Sequence, residues 1–357
     1  MKSIIQTINL TKKFGDFVAN NNISLDIKEG EIRCIVGENG AGKSTLMNML
    51  YGLVAPSSGK ILIRGEEVKM TNPLTAIGVG IGMVHQHFKL VSSLTVYENI
   101  LLGVEIKKKN SPLIDKKEEI KKVAKMIEDN HLQLNPTDKI EDISIGERQR
   151  VEILKMLYRN VDILILDEPT AVLTPKEVDD LIATLKLLKE QGKTIIVITH
   201  KLREVMELAD SITVLKHGNV VGDVLKQDTD EKEIARMMVG RDVCLTVQND
   251  RKHTVEKQVV YQVDNLNVLN DDGKKVINNV SFKVNKGEIF GIAGVEGNGQ
   301  SELIKVLTGL MEAESGNVIL YGKNVTNRWP KELRKEGIGI IPEDRYATGL
   351  CLSLIHI

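Results

Sequence analysis

Three short clusters in the 357-residue sequence carry residue types suited to phosphate chemistry. The first is Gly37-Glu38-Asn39-Gly40-Ala41-Gly42-Lys43-Ser44. Glycines at this spacing let backbone N–H groups converge on phosphate oxygens at the start of a helix. Lys43 would reach the β- and γ-phosphates of a nucleotide, and the Ser44 hydroxyl would complete a magnesium shell. The second cluster is Asp167-Glu168. Beside a phosphate loop, Asp167 can hold magnesium through water, and Glu168 can polarise an attacking water as general base. The third is His200, a group able to donate to the γ-phosphate and orient that water. His85-Gln86-His87 offers two further ligand types, but no third ligand stands at a suitable spacing, so it is not read as a metal site.

The flanking patterns give the elements that must position these groups. Glu31–Val36 is a β-rich run entering the glycine loop, and Ser44–Leu50 has helix-forming composition with an apolar face. Val161–Leu166 and Thr194–Thr199 are continuous apolar runs of the kind found in buried parallel strands. They place Asp167-Glu168 and His200 at strand ends. Thr174-Pro175-Lys176-Glu177 reads as a capped helix start, continued by Leu181, Leu185 and Leu188 at helical spacing. Ile212–Leu215 and Val220–Val224, joined through His217-Gly218-Asn219, read as a hairpin. Lys107-Lys108-Lys109 and the Lys/Glu-rich stretch 116–128 carry a helical pattern with Ile120, Val123 and Ile127 on one side. They suggest a small helical insertion with a solvated basic face over residues 105–135, inside a helical subdomain expected over about 90–155. Strands alternating with helices give an α/β domain with a largely parallel sheet.

The sequence also matches itself at an offset of 257 residues. Gly30-Glu31 recurs as Gly287-Glu288, and the glycine loop recurs as Gly294-Val-Glu-Gly-Asn-Gly-Gln300-Ser301. Ser58-Gly59 recurs as Ser315-Gly316, and Gly80-Ile81-Gly82 as Gly337-Ile338-Gly339. A repeat of this length implies two copies of one domain in tandem. The expected organisation is a complete first domain over 1–240, a polar linker over 241–257, and the opening of a second, altered copy over 258–357. The second copy has Gln300 where the first has Lys43, and the sequence ends at about residue 100 of the first copy's numbering.

Composition narrows the class. The chain is 42% hydrophobic and 27% charged with a net charge of −1, which gives no general attraction to nucleic acid or anionic lipid. Cys34, Cys244 and Cys351 form no C-x-x-C pair, so no disulfide framework or zinc site is indicated. There is no basic-then-apolar leader and no apolar run of the roughly 18 residues that span a bilayer. A cytosolic chain is expected, with any membrane role exercised through a partner.

Taken together, these residues resemble the ATP-binding-cassette ATPases. Besides the glycine loop and Asp167-Glu168, Gln86 stands at the family's Q-loop and His200 at its switch histidine. Ile143-Ser144-Ile145-Gly146-Glu147 lies where the family has its signature, usually L-S-G-G-Q, and Phe14 lies where an aromatic stacks on adenine. The resemblance covers residues 1–240 with six features in the family's order. It implies a P-loop ATPase fold: a mixed, mainly parallel sheet with an N-terminal antiparallel part and a helical subdomain, repeated in tandem. It implies ATP held by Phe14, by Gly37 to Thr45, and across a cassette pair by Ser144 and Gly146. Magnesium would be held by Ser44, Gln86 and Asp167, and the catalytic groups would be Glu168, His200 and Gln86.

Two departures from the family pattern, the Ile and Glu in the signature and Ala171-Val172-Leu173-Thr174 where many members end in Asp, look like the branch that fuses two cassettes and serves sugar and nucleoside importers. Met83-Val84-His85-Gln86-His87-Phe88-Lys89-Leu90 is similar to its nucleoside group, and Ile341-Pro342-Glu343-Asp344-Arg345 to the Q-loop region of its second cassettes. The partners implied are two membrane permease subunits, an extracytoplasmic solute-binding protein and a facing cassette, at the cytoplasmic face of the membrane, without nucleic acid. The alternative is a soluble tandem cassette acting on ribosomes or DNA. It would call for a long charged insertion or a basic face. A regulatory nucleotide-binding protein without catalysis is disfavoured by Glu168 and His200.

Overall fold

The computed structural model describes residues 2–85, 88–108, 111–130, 132–240, 258–270, 273–294 and 297–342. The chain divides into two compact units, Met1–Val247 and Gln248–Ile357.

In the first unit β1 (Ser3–Phe14) and β2 (Phe17–Lys28) form a hairpin, and β3 (Ile32–Val36) runs into α1 (Lys43–Leu50). Then come β4 (Ser58–Ile63), the two-residue β5 (Glu66–Glu67), α2 (Pro73–Gly78) and β6 (Ile81–Val84). Three helices follow: α3 (Val96–Leu101), α4 (Lys116–Asp129) and α5 (Ile145–Tyr158). The unit continues with β7 (Ile163–Asp167), α6 (Pro175–Glu190), β8 (Thr194–Ile198) and α7 (Leu202–Leu208), and ends with β9 (Ser211–Lys216), β10 (Asn219–Leu225) and α8 (Glu231–Val239).

Two sheets result. One is antiparallel, in the order β2-β1-β4-β5; the other runs β10-β9-β3-β8-β7-β6, parallel except for β10. The parallel strands are buried on both faces, which is why they read as unbroken apolar runs. Ile163, Ile165, Ile196 and Ile198 turn to one side, where α1 (Leu46, Met47, Met49, Leu50) lies between them and Ile4, Ile5 and Leu10 of β1. Leu164, Leu166, Ile195 and Val197 turn to the other, against Ile153, Leu181, Leu185, Leu188, Val205 and Ile234. A third cluster belongs to α3, α4 and α5: Val96, Ile100, Leu101, Val123, Ile127, Val151 and Leu154.

Most local expectations hold. Helix α6 opens on a capping box between Thr174 and Glu177 with Pro175 at its first turn. The β9–β10 turn is His217-Gly218 alone, both at positive φ (46° and 76°), with Asn219 already paired to Lys216. Such a turn matches the right-handed twist of the strands. One expectation is corrected. Lys107 and Lys108 are not helical: Lys107 bridges Ile114, and the Lys108 N–H donates to the Leu113 carbonyl (2.9 Å). Pro112 breaks any helix there, and α4 begins only where Asp115 accepts from the Glu118 N–H. Lys109 lies outside the described residues.

In the second unit β11 (Val259–Leu269) and β12 (Lys275–Asn285) form a hairpin, followed by α9 (Gln300–Leu307), β13 (Ser315–Leu320), β14 (Lys323–Asn324) and α10 (Pro330–Lys335). Its antiparallel sheet runs β12-β11-β13-β14 over a core of Val263, Leu266, Ile277, Leu303, Val306, Val318 and Leu333. No helix among the described residues is long and apolar enough to cross a membrane.

Candidate functional site

The glycine loop lies between β3 and α1 and is gripped from two sides. Asn20 Nδ2 donates to the Gly42 carbonyl (3.1 Å), and the Gly218 N–H donates to the Ala41 carbonyl (3.1 Å). Gly42 caps α1 at φ 95°, and a Cβ there would collide with the Ala19 carbonyl oxygen and lie 2.7 Å from Asn20 Nδ2. Only glycine serves both demands. Helix α1 has no side-chain cap and no acidic residue in its first turn. Its leading N–H groups and positive dipole end are therefore unclaimed by a carboxylate of its own first turn. Glu38, Asn39, Gly40 and Ser44 are exposed, and Thr45 is half-buried.

Lys43 is buried and folds back over this loop, its Nζ donating to the carbonyls of Gly37 (2.7 Å) and Glu38 (3.0 Å). Burial pulls its pKa down, while the Glu168 and Asp167 carboxylates pull it up. The strand register brings those carboxylates close. β8 pairs with both β3 and β7, matching Ile198 to Ile35 on one side and to Asp167 on the other. The loop, the carboxylates and His200 thus meet at the carboxyl ends of three neighbouring strands. Ser44 Oγ lies 3.5 Å from Asp167 Oδ1 across a sequence separation of 123 residues. Burial raises the Asp167 pKa and Glu168 adds to the rise, against lowering by Ser44 and Lys43. Glu168 takes a left-handed backbone conformation (φ 46°), held by donation of its N–H to the Ile198 carbonyl (2.9 Å). That conformation costs a non-glycine residue about 1–2 kcal/mol, a strain found where function fixes a side chain's aim. The Glu168 Oε1 meets His200 Nδ1 at 3.2 Å.

Ser44 and Asp167 present a hydroxyl and a carboxylate oxygen side by side, a donor set that fits a hard divalent cation such as magnesium. Magnesium commonly takes one or two protein oxygens and fills its octahedron with phosphate and water. Among the described residues no group of three or more His, Cys, Asp or Glu side chains forms a dedicated cage.

The other expected residues sit elsewhere. Phe14 is half-exposed at the tip of the β1–β2 hairpin, with Lys12 Nζ 5.0 Å from its ring centroid. Ser144 caps α5 in a capping box with Glu147: the Glu147 N–H donates to Ser144 Oγ (3.2 Å) and the Ser144 N–H to Glu147 Oε2 (2.8 Å). The Glu that departs from the usual signature therefore has a structural task. Gly146 is buried against α6. Gln86 and His87 lie outside the described residues. His85, half-buried edge-on to Tyr51 (5.9 Å between centroids), has its pKa lowered by burial and by Lys89.

Several supporting groups escape a reading of the sequence alone. Thr170, two residues past Glu168, is clamped from α7: its hydroxyl donates to Glu204 (2.6 Å) and its carbonyl accepts from Lys201 Nζ (2.8 Å). Glu152 of α5, itself buried, accepts from the Lys89 N–H (2.7 Å). Of these polar side chains only Glu152 is buried on a helix, a position that hinted at a task, and all the partners are remote in sequence.

The ABC transporter family profile matches residues 20–171 and 277–350. The nucleoside import ATP-binding protein NupA of Lactococcus lactis is 46% identical over 99% of this chain and 69% of its own length. The guanosine import ATP-binding protein NupO of Bacillus subtilis is 47% identical over 99% of this chain and 68% of its own. Among solved structures, the ADP conformation of MJ1267, an ATP-binding cassette of an ABC transporter, superposes with a TM-score of 0.59 at 28% identity, covering 67% of this chain and 96% of that one. With the phosphate loop, the strand-end carboxylates and the histidine converging as described, the chain belongs to the ABC transporter family as an ATP-binding protein, and is an ATPase.

Proposed function

We propose that this chain is the ATP-hydrolysing subunit of an importer, with nucleosides as the cargo and simple sugars as the second choice. The observation that carries the catalytic part is the convergence of Lys43, Ser44, Asp167, Glu168 and His200 at adjacent strand ends. The cargo part is supported by identities of 46% and 47% to proteins named for nucleoside and guanosine import.

The loop N–H groups and the start of α1 bind the phosphates, and Lys43 turns from the Gly37 and Glu38 carbonyls onto the β- and γ-oxygens. Phe14 stacks on the adenine. Glu168 accepts the proton of the attacking water, and His200, aligned by Glu168, donates to the γ-phosphate. By its place in the sequence pattern, Gln86 is a further catalytic group. Ser44 and Asp167, with Gln86 as the third expected ligand, would hold magnesium, which would supply charge neutralisation for the transferred phosphoryl group. Ser144 and Gly146 serve the nucleotide of a facing cassette.

We read residues 1–240 as one cassette containing a helical subdomain over about 90–155, 241–257 as a linker, and 258–357 as part of a second cassette. In support, the order β12-β11-β13-β14 matches β2-β1-β4-β5. The hairpins also share left-handed asparagines, Asn9 and Asn22 in one, Asn265 and Asn279 in the other. Gln300 lacks the ammonium of Lys43, so the second site binds nucleotide weakly or turns it over slowly. The partners are two permease subunits and a solute-binding protein, and the chain works at the cytoplasmic face of the membrane.

The test is uptake of radiolabelled uridine and, separately, ribose in cells lacking the gene, with restoration by the wild type or by Lys43→Ala. Loss of uridine uptake, rescued by wild type only, is expected. Unchanged uptake of both solutes, or rescue by Lys43→Ala, would refute the reading; loss of ribose uptake alone would move the cargo to sugars.

A further inference from the structure

The signature turn and the segment leaving the general base meet at one carboxylate. Glu177 lies on the first turn of α6. Its Oε2 accepts from the backbone N–H and the hydroxyl of Thr174, both at 2.9 Å. Its Oε1 accepts from the Gly146 N–H in the first turn of α5, at 3.3 Å and 31 residues away in sequence. The approach is close: a Cβ on Gly146 would lie 2.6 Å from Oε1 and 2.8 Å from Cδ of Glu177.

From Thr174 the bonded path runs back to Glu168. The Leu173 N–H donates to the Thr170 carbonyl (3.4 Å), the Ala171 N–H donates to the Glu168 carbonyl (3.2 Å), and α7 clamps Thr170. An ionised carboxylate accepts at both oxygens, so it can serve donors at both ends. An amide of the same shape would set its NH2 against one donor or the other. Burial would raise the Glu177 pKa, but the hydrogen bonds from Thr174 and Gly146 and the charge of Arg150 outweigh it and keep the group ionised.

We propose that Glu177 is a positioning residue that locks the signature turn of α5 to the segment carrying Glu168, so that the signature this cassette lends and the general base it uses itself move together. Glu177 thereby couples the two nucleotide sites of a cassette pair. The inference rests on the composite-site reading above.

The test is a double-mutant cycle in the full chain, with kcat, KM and nucleotide affinity measured for wild type, Gly146→Ala, Glu177→Ala and the double variant. Glu177→Ala should lower kcat about tenfold while nucleotide affinity, set by the Lys43 loop, stays within about twofold. The isosteric Glu177→Gln, which keeps size and fold, should lose activity as well. Adding Gly146→Ala to Glu177→Ala should cost much less than adding it to wild type, because the carboxylate it strikes is gone. Losses that multiply, or a fully active Glu177→Gln, would overturn the proposal. A Ser144→Ala variant with wild-type turnover and wild-type nucleotide affinity would instead overturn the composite-site reading beneath it. An impaired Ser144→Ala variant with multiplying losses in the cycle would remove only the role of Glu177.

Discussion

Asp167→Asn should make the nucleotide-free protein more stable while removing its magnesium-dependent activity. Asp167 is only 9% exposed, and its hydrogen bond to Ser44 Oγ is long at 3.5 Å. Burial and the Glu168 charge outweigh the help from Ser44 and Lys43, so the folded-state pKa lies above the ordinary 3.8. For an acid shifted upward, the stabilising contribution is complete below the unfolded value and disappears as pH rises through the folded one. At pH 7 the ionised group is therefore a net cost to the fold. Asparagine keeps an oxygen for the Ser44 hydroxyl and removes the charge. The expected gain is about 1 kcal/mol, within the usual range for relieving a functional site, or about 2–4 °C in Tm for a unit of this size. With magnesium and ATP the order should reverse. Ligand at about 100 times Kd adds about 2.7 kcal/mol to the wild type, and the variant, lacking a magnesium oxygen, gains less. The assay is thermal unfolding at pH 7 in EDTA, then with magnesium and ATP. A variant less stable in EDTA would mean that attraction to Lys43 exceeds the cost of burial. An equal gain from magnesium and ATP in both proteins would remove Asp167 from the metal site.

Two further outcomes follow from the same geometry. Gly42→Ala must shift either the loop or β2, because its methyl would meet the Ala19 carbonyl and Asn20 Nδ2 at an unfavourable φ of 95°. Strain of about 1–2 kcal/mol should weaken nucleotide binding by about tenfold in titration calorimetry, and unchanged affinity would show that the loop has slack. Cys34 lies wholly buried in β3 and burial pushes its thiol up to about 12, so iodoacetamide at pH 8 should modify it only after denaturation. Labelling of the native protein at that position, read by peptide mass spectrometry, would contradict its placement.

The parts of this protein written in neighbouring residues are legible without a fold. The glycine loop between strand and helix, the Thr174–Glu177 cap, the His217-Gly218 turn and the apolar runs that became β7 and β8 all depend on interactions across a few positions, or on burial of a whole run. Pro112 shows the same code overriding a helical-looking lysine run. The two ends of each long-range contact carry no local mark of the other. Only the strand order, with β8 between β3 and β7, sets Ser44 against Asp167 and fixes the backbone twist that turns Glu168 toward His200. Glu177 makes the distinction within one side chain. Its bonds to Thr174 could be read from a spacing of three residues, whereas its bond to Gly146 exists only because α5 and α6 pack with their first turns together. A cap is closed by the chain's own local geometry, but a contact between helices is chosen by which apolar faces are buried against each other, and that is a property of the whole sheet.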